Sequence, residues 1–207
     1  MAARQPPGLR RHPDGRWRCW WTGTDPAYVT YHDDEWGHPC HDEVRLLEKL
    51  CLEGFQAGLS WSTILRKRPA FRVAFAGFRP EALAAFGPDD VVRLLADPGI
   101  VRHRGKIEAA VANARATLAL AERGDSLTAL VWRHAPRPRP RPNHPDEIPA
   151  VTDASTRLAR ELKAHGFRFV GPTTAYAFMQ SMGLVDDHLA GCQAAPEPPP
   201  VGQAAAV

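Results

Sequence analysis

Two cysteine–histidine pairs stand at opposite ends of the chain. Cys19 precedes His32 by thirteen positions, and His188 precedes Cys192 by four, some 150 residues further on. Thiolate and imidazole both suit a borderline-soft ion, and Cys₂His₂ is a preferred tetrahedral set for structural zinc. On a helix, His188 and Cys192 at i and i+4 would share one face. A single closed site built from both pairs would clasp the N-terminal segment to the C-terminal one and reduce the freedom of each. Two other arrangements use the same residues. His32 lies in a run with Asp33, Asp34, Glu35, His38, Cys40 and His41, which could form a purely local site or a charged turn with no metal. The gap between the pairs is far longer than in a short finger, so spacing does not choose among these.

Leu52-Glu53-Gly54-Phe55-Gln56-Ala57-Gly58-Leu59-Ser60-Trp61 is the second stretch with chemical content. Glu53 falls near the C-terminal end of an apolar helix, where the helix dipole disfavours a carboxylate. It reads either as a solvated helix-end residue or as a group facing a pocket walled by Trp21, Tyr28, Tyr31, Trp36 and Trp61. Those aromatics read equally as core. The third stretch is Gly99 to Lys106. Glycines at a helix–turn–helix junction expose backbone N–H groups, and Arg102, Arg104 and Lys106 add charge beside a helix start. Together they make a sequence-independent phosphate grip or a surface turn with solvated cations. Arg66-Lys67-Arg68 has the same two readings.

The elements that must position these residues are short helices. Asp25-Pro26 caps a first helix carrying Tyr28, Tyr31 and His32, stopped by Gly37 and Pro39. Asp42 caps a helix to about Phe55 with Leu47, Leu50, Cys51 and Gly54 at helical spacing. Ser60 caps the next, through Leu65, and Pro69 permits a fresh start into Phe71–Phe75. Pro80 and Pro88 open helices over Glu81–Phe86 and Asp89–Leu95. After the Gly99 turn a long helix stripes Ile107, Ala110, Val111, Ala114 and Leu118 and ends near Gly124. Ser155 caps a helix to Gly166, Thr173 to Met182 forms another with Gly183 as its stop, and a last helix bears His188 and Cys192. No β pattern is visible, so the expected class is all-α.

The 207-residue length suits one domain or two small lobes. Residues 1–17, rich in Arg, Pro and Gly, read as a disordered leader and 193–207 as a disordered tail around a domain over 18–192. Within it, 134–149 holds six prolines, four of them alternating with Arg137, Arg139 and Arg141, an extended and mobile connector. The net charge of +3 belongs to the tails: residues 1–18 carry five Arg against one Asp, and 19–192 are neutral. Overall basicity is therefore a weak argument for nucleic acid. Without an apolar run of about 18 residues nothing spans a membrane. Four scattered cysteines fit a cytosolic protein with a metal pair and two ordinary thiols.

Five motifs in order carry a family resemblance: Cys19-x-Trp21; Tyr28-x-x-Tyr31-His32-Asp33-x-Glu35-Trp36-Gly37; Leu52-Glu53-Gly54-x-Gln56-Ala57-Gly58-Leu59-Ser60-Trp61; Gly99-Ile100-x-Arg102-His103-Arg104-Gly105-Lys106-Ile107; and Gly166-Phe167-x-Phe169-Val170-Gly171 followed by Asp187-His188-x-x-Gly191-Cys192. From about residue 18 to 192 the chain closely resembles the bacterial 3-methyladenine DNA glycosylase I family. The resemblance implies a helix–hairpin–helix glycosylase variant of many short helices, with one structural zinc on Cys19, His32, His188 and Cys192. It implies a base pocket with Glu53 as the catalytic carboxylate and Tyr31 as a hydrogen-bonding partner. Trp21 and Trp61 stack on the base, and Tyr28 and Trp36 stand nearby. Leu59, beside Gly58, enters the gap in the DNA, and the hairpin of Gly99, Arg102, Arg104, Gly105 and Lys106 holds the backbone. The implied partner of this expected monomer is duplex DNA with alkylated bases, from which N3-methylated adenine is flipped and hydrolytically excised. No lysine lies in the pocket motifs, so no Schiff base and no strand-cleaving step are expected. Two alternatives remain at this stage: a zinc-stabilised DNA-binding or scaffold module without catalysis, and a glycosylase for another lesion such as 3-methylguanine.

Overall fold

The structure, a computed structural model, describes residues 6–193. The described part is predominantly helical, and it opens with a two-stranded hairpin where a disordered leader was expected. Strand β1 (Leu9–Arg11) pairs antiparallel with β2 (Trp17–Cys19), Leu9 opposite Cys19. The arginines that made this stretch look unfoldable are partly neutralised: buried Arg18 pairs with Asp14 at 2.7 Å and with Asp33 at 2.7 Å. Leu9 is buried beside Leu189 and Cys192. The signal was Pro13-Asp14-Gly15, a turn sequence, with Gly15 at φ 84°. Residues 1–5 of the leader and 194–207 of the tail lie outside the described residues.

The helices start where capping side chains stand. Asp25 accepts from the Ala27 N–H at the head of α1 (Pro26–Asp34), and Asp42 accepts from Arg45 N–H at that of α2 (Glu43–Gln56). Ser60 accepts from Thr63 N–H at that of α3 (Trp61–Ala74). Each satisfies a donor that the first turn leaves free. Helix α3 runs straight through Pro69 instead of restarting there. A continuous helix keeps Ile64 and Phe71, seven positions apart, on one fully buried face. That burial outweighs the one hydrogen bond Pro69 cannot make. Short α4 (Pro80–Ala84) and α5 (Pro88–Ala96) lead to α6 (Arg104–Ala121). Next come α7 (Leu127–Trp132), α8 (Asp153–Ala164) and α9 (Pro172–Ser181). The cap of α8 is Thr152, and Ser155 answers it by accepting from the Thr152 N–H.

The core is organised on α2, whose Leu46, Leu47, Leu50, Cys51, Leu52 and Phe55 are all buried. It meets α6, α9, α7 and α3, while α4 packs on α6 and α8 on α9. This fixes both ends of α2, and with them the loop at 57–60 that follows it.

Two expectations about the C-terminal part are corrected. No helix carries His188 and Cys192; the segment turns, with Cys192 N–H donating to Leu189 O at 2.9 Å and Gly191 at φ 88°. Nor is the Pro/Arg segment at 134–149 a free connector. In an extended chain residues two apart point the same way. Arg139 and Arg141 accordingly reach Asp187 at 2.6 Å and Asp186 at 2.7 Å. Pro142 O accepts from Ala190 N–H at 2.8 Å, so the segment is a strap over the C-terminal turn. Asp187, buried, also accepts from Tyr176 Oη at 2.6 Å and from Gln180 at 2.9 Å. Arg139→Ala should lower stability by about 1–2 kcal/mol, a modest cost because the guanidinium is partly solvated. Thermal unfolding measures it, and Arg137→Ala should leave the transition where it is.

Candidate metal centre and base site

Although no helix sets their spacing, the four predicted ligands meet. Cys19 comes from β2, His32 from α1, and His188 and Cys192 from the strapped turn. Ligand atoms of Cys19, His32 and Cys192 lie within 4.8 Å of one another, all three buried. Cys192 Sγ is 3.6 Å from His32 Nε2, and the rings of His32 and His188 meet edge-on at 4.9 Å. His188 Nε2 is buried with no hydrogen-bond partner, an orphan that costs free energy unless something takes it up. Gly37, at φ 79°, is the seat for this ring: a Cβ there would come within 2.6 Å of His188 Cε1.

Each imidazole is turned by a carboxylate. His32 Nδ1 is 2.8 Å from Asp33 Oδ1, and His188 Nδ1 is 2.8 Å from Asp186 Oδ1. Each carboxylate is in turn held by an arginine, Arg18 or Arg141. Burial pushes Asp186 up, but His188 and Arg141 outweigh it and hold the carboxyl down at about 2. Two such carboxylate–histidine pairs leave both Nε2 atoms as ligands, the arrangement usual around metal-binding histidines. The Cys19 thiol is pushed well up by the neighbouring Cys192 and by burial, so two thiolates need a cation between them. The donor set therefore fits a divalent metal ion. The local alternative does not form: His38 is spent on the Asp33 carbonyl at 3.0 Å, and His41 stacks on Trp132 at 4.3 Å.

An aromatic wall separates this centre from Glu53. Trp36 faces His188 at 4.6 Å, Trp21 faces His32 at 4.9 Å, and the two indoles meet at 5.0 Å. Tyr28 lies 5.3 Å beyond Trp21, Tyr31 is 6.4 Å from Tyr28, and Trp61 is 5.2 Å from Tyr31. Glu53 is no solvated helix end; it is 6% exposed and stands behind this wall. The five predicted aromatics thus form one connected wall, with Trp36 at the end that packs against His188.

A residue that sequence reasoning missed stands in the middle. Lys49, one turn before Glu53 on α2, is 1% exposed. Its Nζ pairs with Glu53 Oε1 at 2.9 Å, donates to Tyr31 Oη at 2.7 Å and lies 3.1 Å from the Trp61 ring centroid. Its signal was its place on the inner stripe with Leu46, Leu50 and Glu53. Under the site, Glu48 binds Arg68 at 2.6 Å and Arg72 at 2.9 Å, and Arg68 also binds Glu35 at 2.7 Å.

On the predicted DNA face the basic residues divide. Lys106 does not point out: its ammonium donates to Phe55 O at 3.0 Å and Ala57 O at 2.6 Å. It caps the C-terminal end of α2, where cations are favoured, and fixes the loop that bears Gly58 and Leu59. Arg68 is buried in the ion-pair network, and Lys67 donates to Pro98 O at 2.8 Å. Arg102 and Arg104 are exposed, Arg104 in loose contact with Glu108 at 3.4 Å. Gly99 N–H is occupied by Asp97 Oδ1 at 2.7 Å, so it does not face outward as a free donor. Gly105 lies partly buried in the first turn of α6. Gly58 holds φ 82°, which presents Leu59 at 42% exposure. Phe169, also missed, is equally exposed, at φ 56°, between Gly54 and Gly105.

A helical domain that closes its two chain ends over two cysteines and two histidines, and buries a carboxylate in an aromatic cage beside them, is a narrow class. Residues 20–195 match the methyladenine glycosylase family, and the chain belongs to that family. It is 48% identical over 178 residues to DNA-3-methyladenine glycosylase 1 of Escherichia coli K12, covering 84% of this chain and 95% of that protein. It is 46% identical over 177 residues to the DNA-3-methyladenine glycosylase of Haemophilus influenzae, covering 84% and 96%. A crystal structure of 3-methyladenine DNA glycosylase I superposes with TM-score 0.84 at 49% identity, over 86% of this chain and all of that one. The Staphylococcus aureus enzyme, solved for 3-methyladenine recognition, superposes with TM-score 0.81 at 38% identity, over 84% and 94%.

Proposed function

We propose that this chain is a DNA-3-methyladenine glycosylase that flips the alkylated nucleotide out of duplex DNA and hydrolyses its N-glycosidic bond. The observation that carries the reading is Glu53, a carboxylate buried in a cage of Tyr31 and Trp61 within a chain of this family. N3-methylation makes adenine cationic. Stacking on Trp61 and Trp21 then gains a cation–π contribution on the order of 1 kcal/mol or more. Glu53 adds opposite charge and accepts from the base's amino group. Neutral adenine gains neither, so discrimination does not rest on shape alone. Tyr28 and Trp36 continue the wall.

Flipping costs a few kcal/mol, and Leu59, raised on the Gly58 turn, is the residue placed to fill the vacated stack. Leu59→Ala should slow base release from duplex DNA about tenfold while leaving affinity for free 3-methyladenine unchanged, a split read by comparing the two assays. The turn at 97–103 between α5 and α6 acts as the backbone-gripping hairpin of a helix–hairpin–helix unit, with Arg102 and Arg104 toward phosphates and Lys106 in the structural role described above. Zinc would be held by Cys19, His32, His188 and Cys192, where it would neutralise two thiolates and join the chain ends. The reading is of a monomer acting on DNA in the cytoplasm, and no described helix is long and apolar enough to cross a membrane.

Lys49 lies outside the pocket motifs in sequence, yet it stands against the Glu53 and Tyr31 that they supply. The monofunctional reading is kept on other ground: with its pKa at about 8 the group is mainly an ammonium near neutral pH, whereas Schiff-base chemistry needs a free amine at the sugar carbon. The experiment for the whole reading is base release from methylated duplex DNA, with free bases identified by chromatography and mass. Release of 3-methyladenine with 7-methylguanine left in place is expected, and the same chromatogram reports 3-methylguanine. No release from folded, metal-loaded protein would overturn the enzyme and leave a non-catalytic binding module.

A further inference from the structure

Lys49 holds, with one ammonium, three of the partners that the functional reading assigns to the alkylated base. It sits over Trp61 at 3.1 Å, closer than a stacked ring could come while it remains there. It donates to Glu53 and to Tyr31. These partners come from three elements, Tyr31 from α1, Glu53 from α2 and Trp61 from α3, so the ammonium lies where they converge. Beside it Trp61 Nε1 is buried with no hydrogen-bond partner, a donor suited to an acceptor on a base. Both the ammonium and an N3-methylated adenine in DNA are cations that can stack on indole and donate to a carboxylate.

We propose that Lys49 is a tethered occupant of the base site, which yields Trp61, Tyr31 and Glu53 to the cationic base and retakes them once that base has become neutral. The proposal rests on the base-site reading above. Entry exchanges one cation for another, so Glu53 is never left without a counter-charge. An undamaged, neutral adenine offers no such exchange and is disfavoured. When the glycosidic bond breaks, its electron pair stays on the base nitrogen and cancels the positive charge. The released 3-methyladenine then loses its hold on Glu53, and the ammonium displaces it. Lys49 thereby excludes undamaged bases at entry and expels product at exit.

The groups facing the ammonium support a labile charge. Burial pulls its pKa down to about 8 against the opposing pull of Glu53, while Arg68 of α3 lowers it and Glu35 after α1 raises it. Tyr31 and, through Glu53, Tyr28 complete the surroundings.

The test is the affinity of free 3-methyladenine, measured by calorimetry under conditions where that base is neutral, for the full chain and for Lys49→Met. Methionine keeps the bulk and removes the competing charge. The variant should bind product on the order of tenfold more tightly, since a charged hydrogen bond and a cation–π contact no longer have to be broken. Added 3-methyladenine should inhibit it at correspondingly lower concentration. The gap between the two proteins should narrow as pH rises through about 8, where the wild-type amine loses its proton; the titration of the ligand is common to both and cancels. Lys49→Gln, which keeps a donor but no charge, should fall between them. Equal or weaker product binding in folded Lys49→Met or Lys49→Gln would overturn the exchange and leave Lys49 a structural counter-ion of Glu53. If Glu53→Gln and Trp61→Ala also bind product like wild type, the base sits elsewhere and the base-site reading itself fails.

Discussion

Glu53→Gln should lose base release from methylated DNA by a factor of about 100 or more, while the protein remains folded. The amide keeps the shape and an acceptor oxygen, so what is removed is charge. In a site enclosed by Tyr31, Trp61 and the rest of α2, charge is worth far more than in water. Losing one preorganised electrostatic group of this kind typically costs on the order of 10²–10³ in rate. The fold survives because the group left behind can adjust: Lys49, already lowered to about 8, can give up its proton when its counter-ion goes. A stability loss of about 1–3 kcal/mol is therefore expected in place of the larger penalty for a stranded buried ion. Single-turnover release and thermal unfolding, run on the same preparation, separate the two effects. Full activity in a folded Glu53→Gln protein would remove Glu53 from the chemistry.

The second large effect is expected at the metal centre. The purified chain should carry one zinc, and Cys19→Ser or Cys192→Ser should carry none, while Cys40→Ser should keep it. Without the ion, two imidazoles and two thiols are buried among Asp33, Asp186, Arg18 and Arg141 with no shared partner to order them. A loss of about 3–5 kcal/mol corresponds to a fall in melting temperature of roughly 10 °C for a chain of this size. Proteolysis should then cut first near β1 and β2. Base release should fall as well, because Trp21 rests on His32 and Trp36 on His188. Metal analysis showing no stoichiometric zinc in active wild-type protein would sink the assignment.

The features legible in the sequence were those in which a side chain acts on its own neighbourhood. Asp25, Asp42 and Ser60 cap helices because their oxygens reach the next turn whatever the rest of the chain does. The four candidate ligands come together in the fold, but not by the helical spacing expected of His188 and Cys192, which lie in a turn. Where a charge meets something distant in sequence, residue type is mute. Lys106 looks like a phosphate contact until the carbonyls of Phe55 and Ala57 arrive from 49 to 51 residues away. Arg68 looks like surface until Glu48 and Glu35 close on it. Composition masks the N-terminal hairpin, because its Pro13-Asp14-Gly15 turn stands among arginines whose partners lie elsewhere. Lys49 is masked because a lysine on an inner stripe is legible only once Glu53, one turn later, is known to be buried.

The strap and the clasp also set an order of events in time. His32 and Cys192 meet across 160 positions, so the contact cannot form on the ribosome until residue 192 has been made. Until then the indole of Trp36 has no ring of His188 to lean on, and the cage around Glu53 lacks a settled wall. A chain lacking residues 188–192 therefore lacks part of this wall even with the loop at 57–60 in place. The join between the two segments works as a completion check: the wall is finished only when residues 188–192 have arrived.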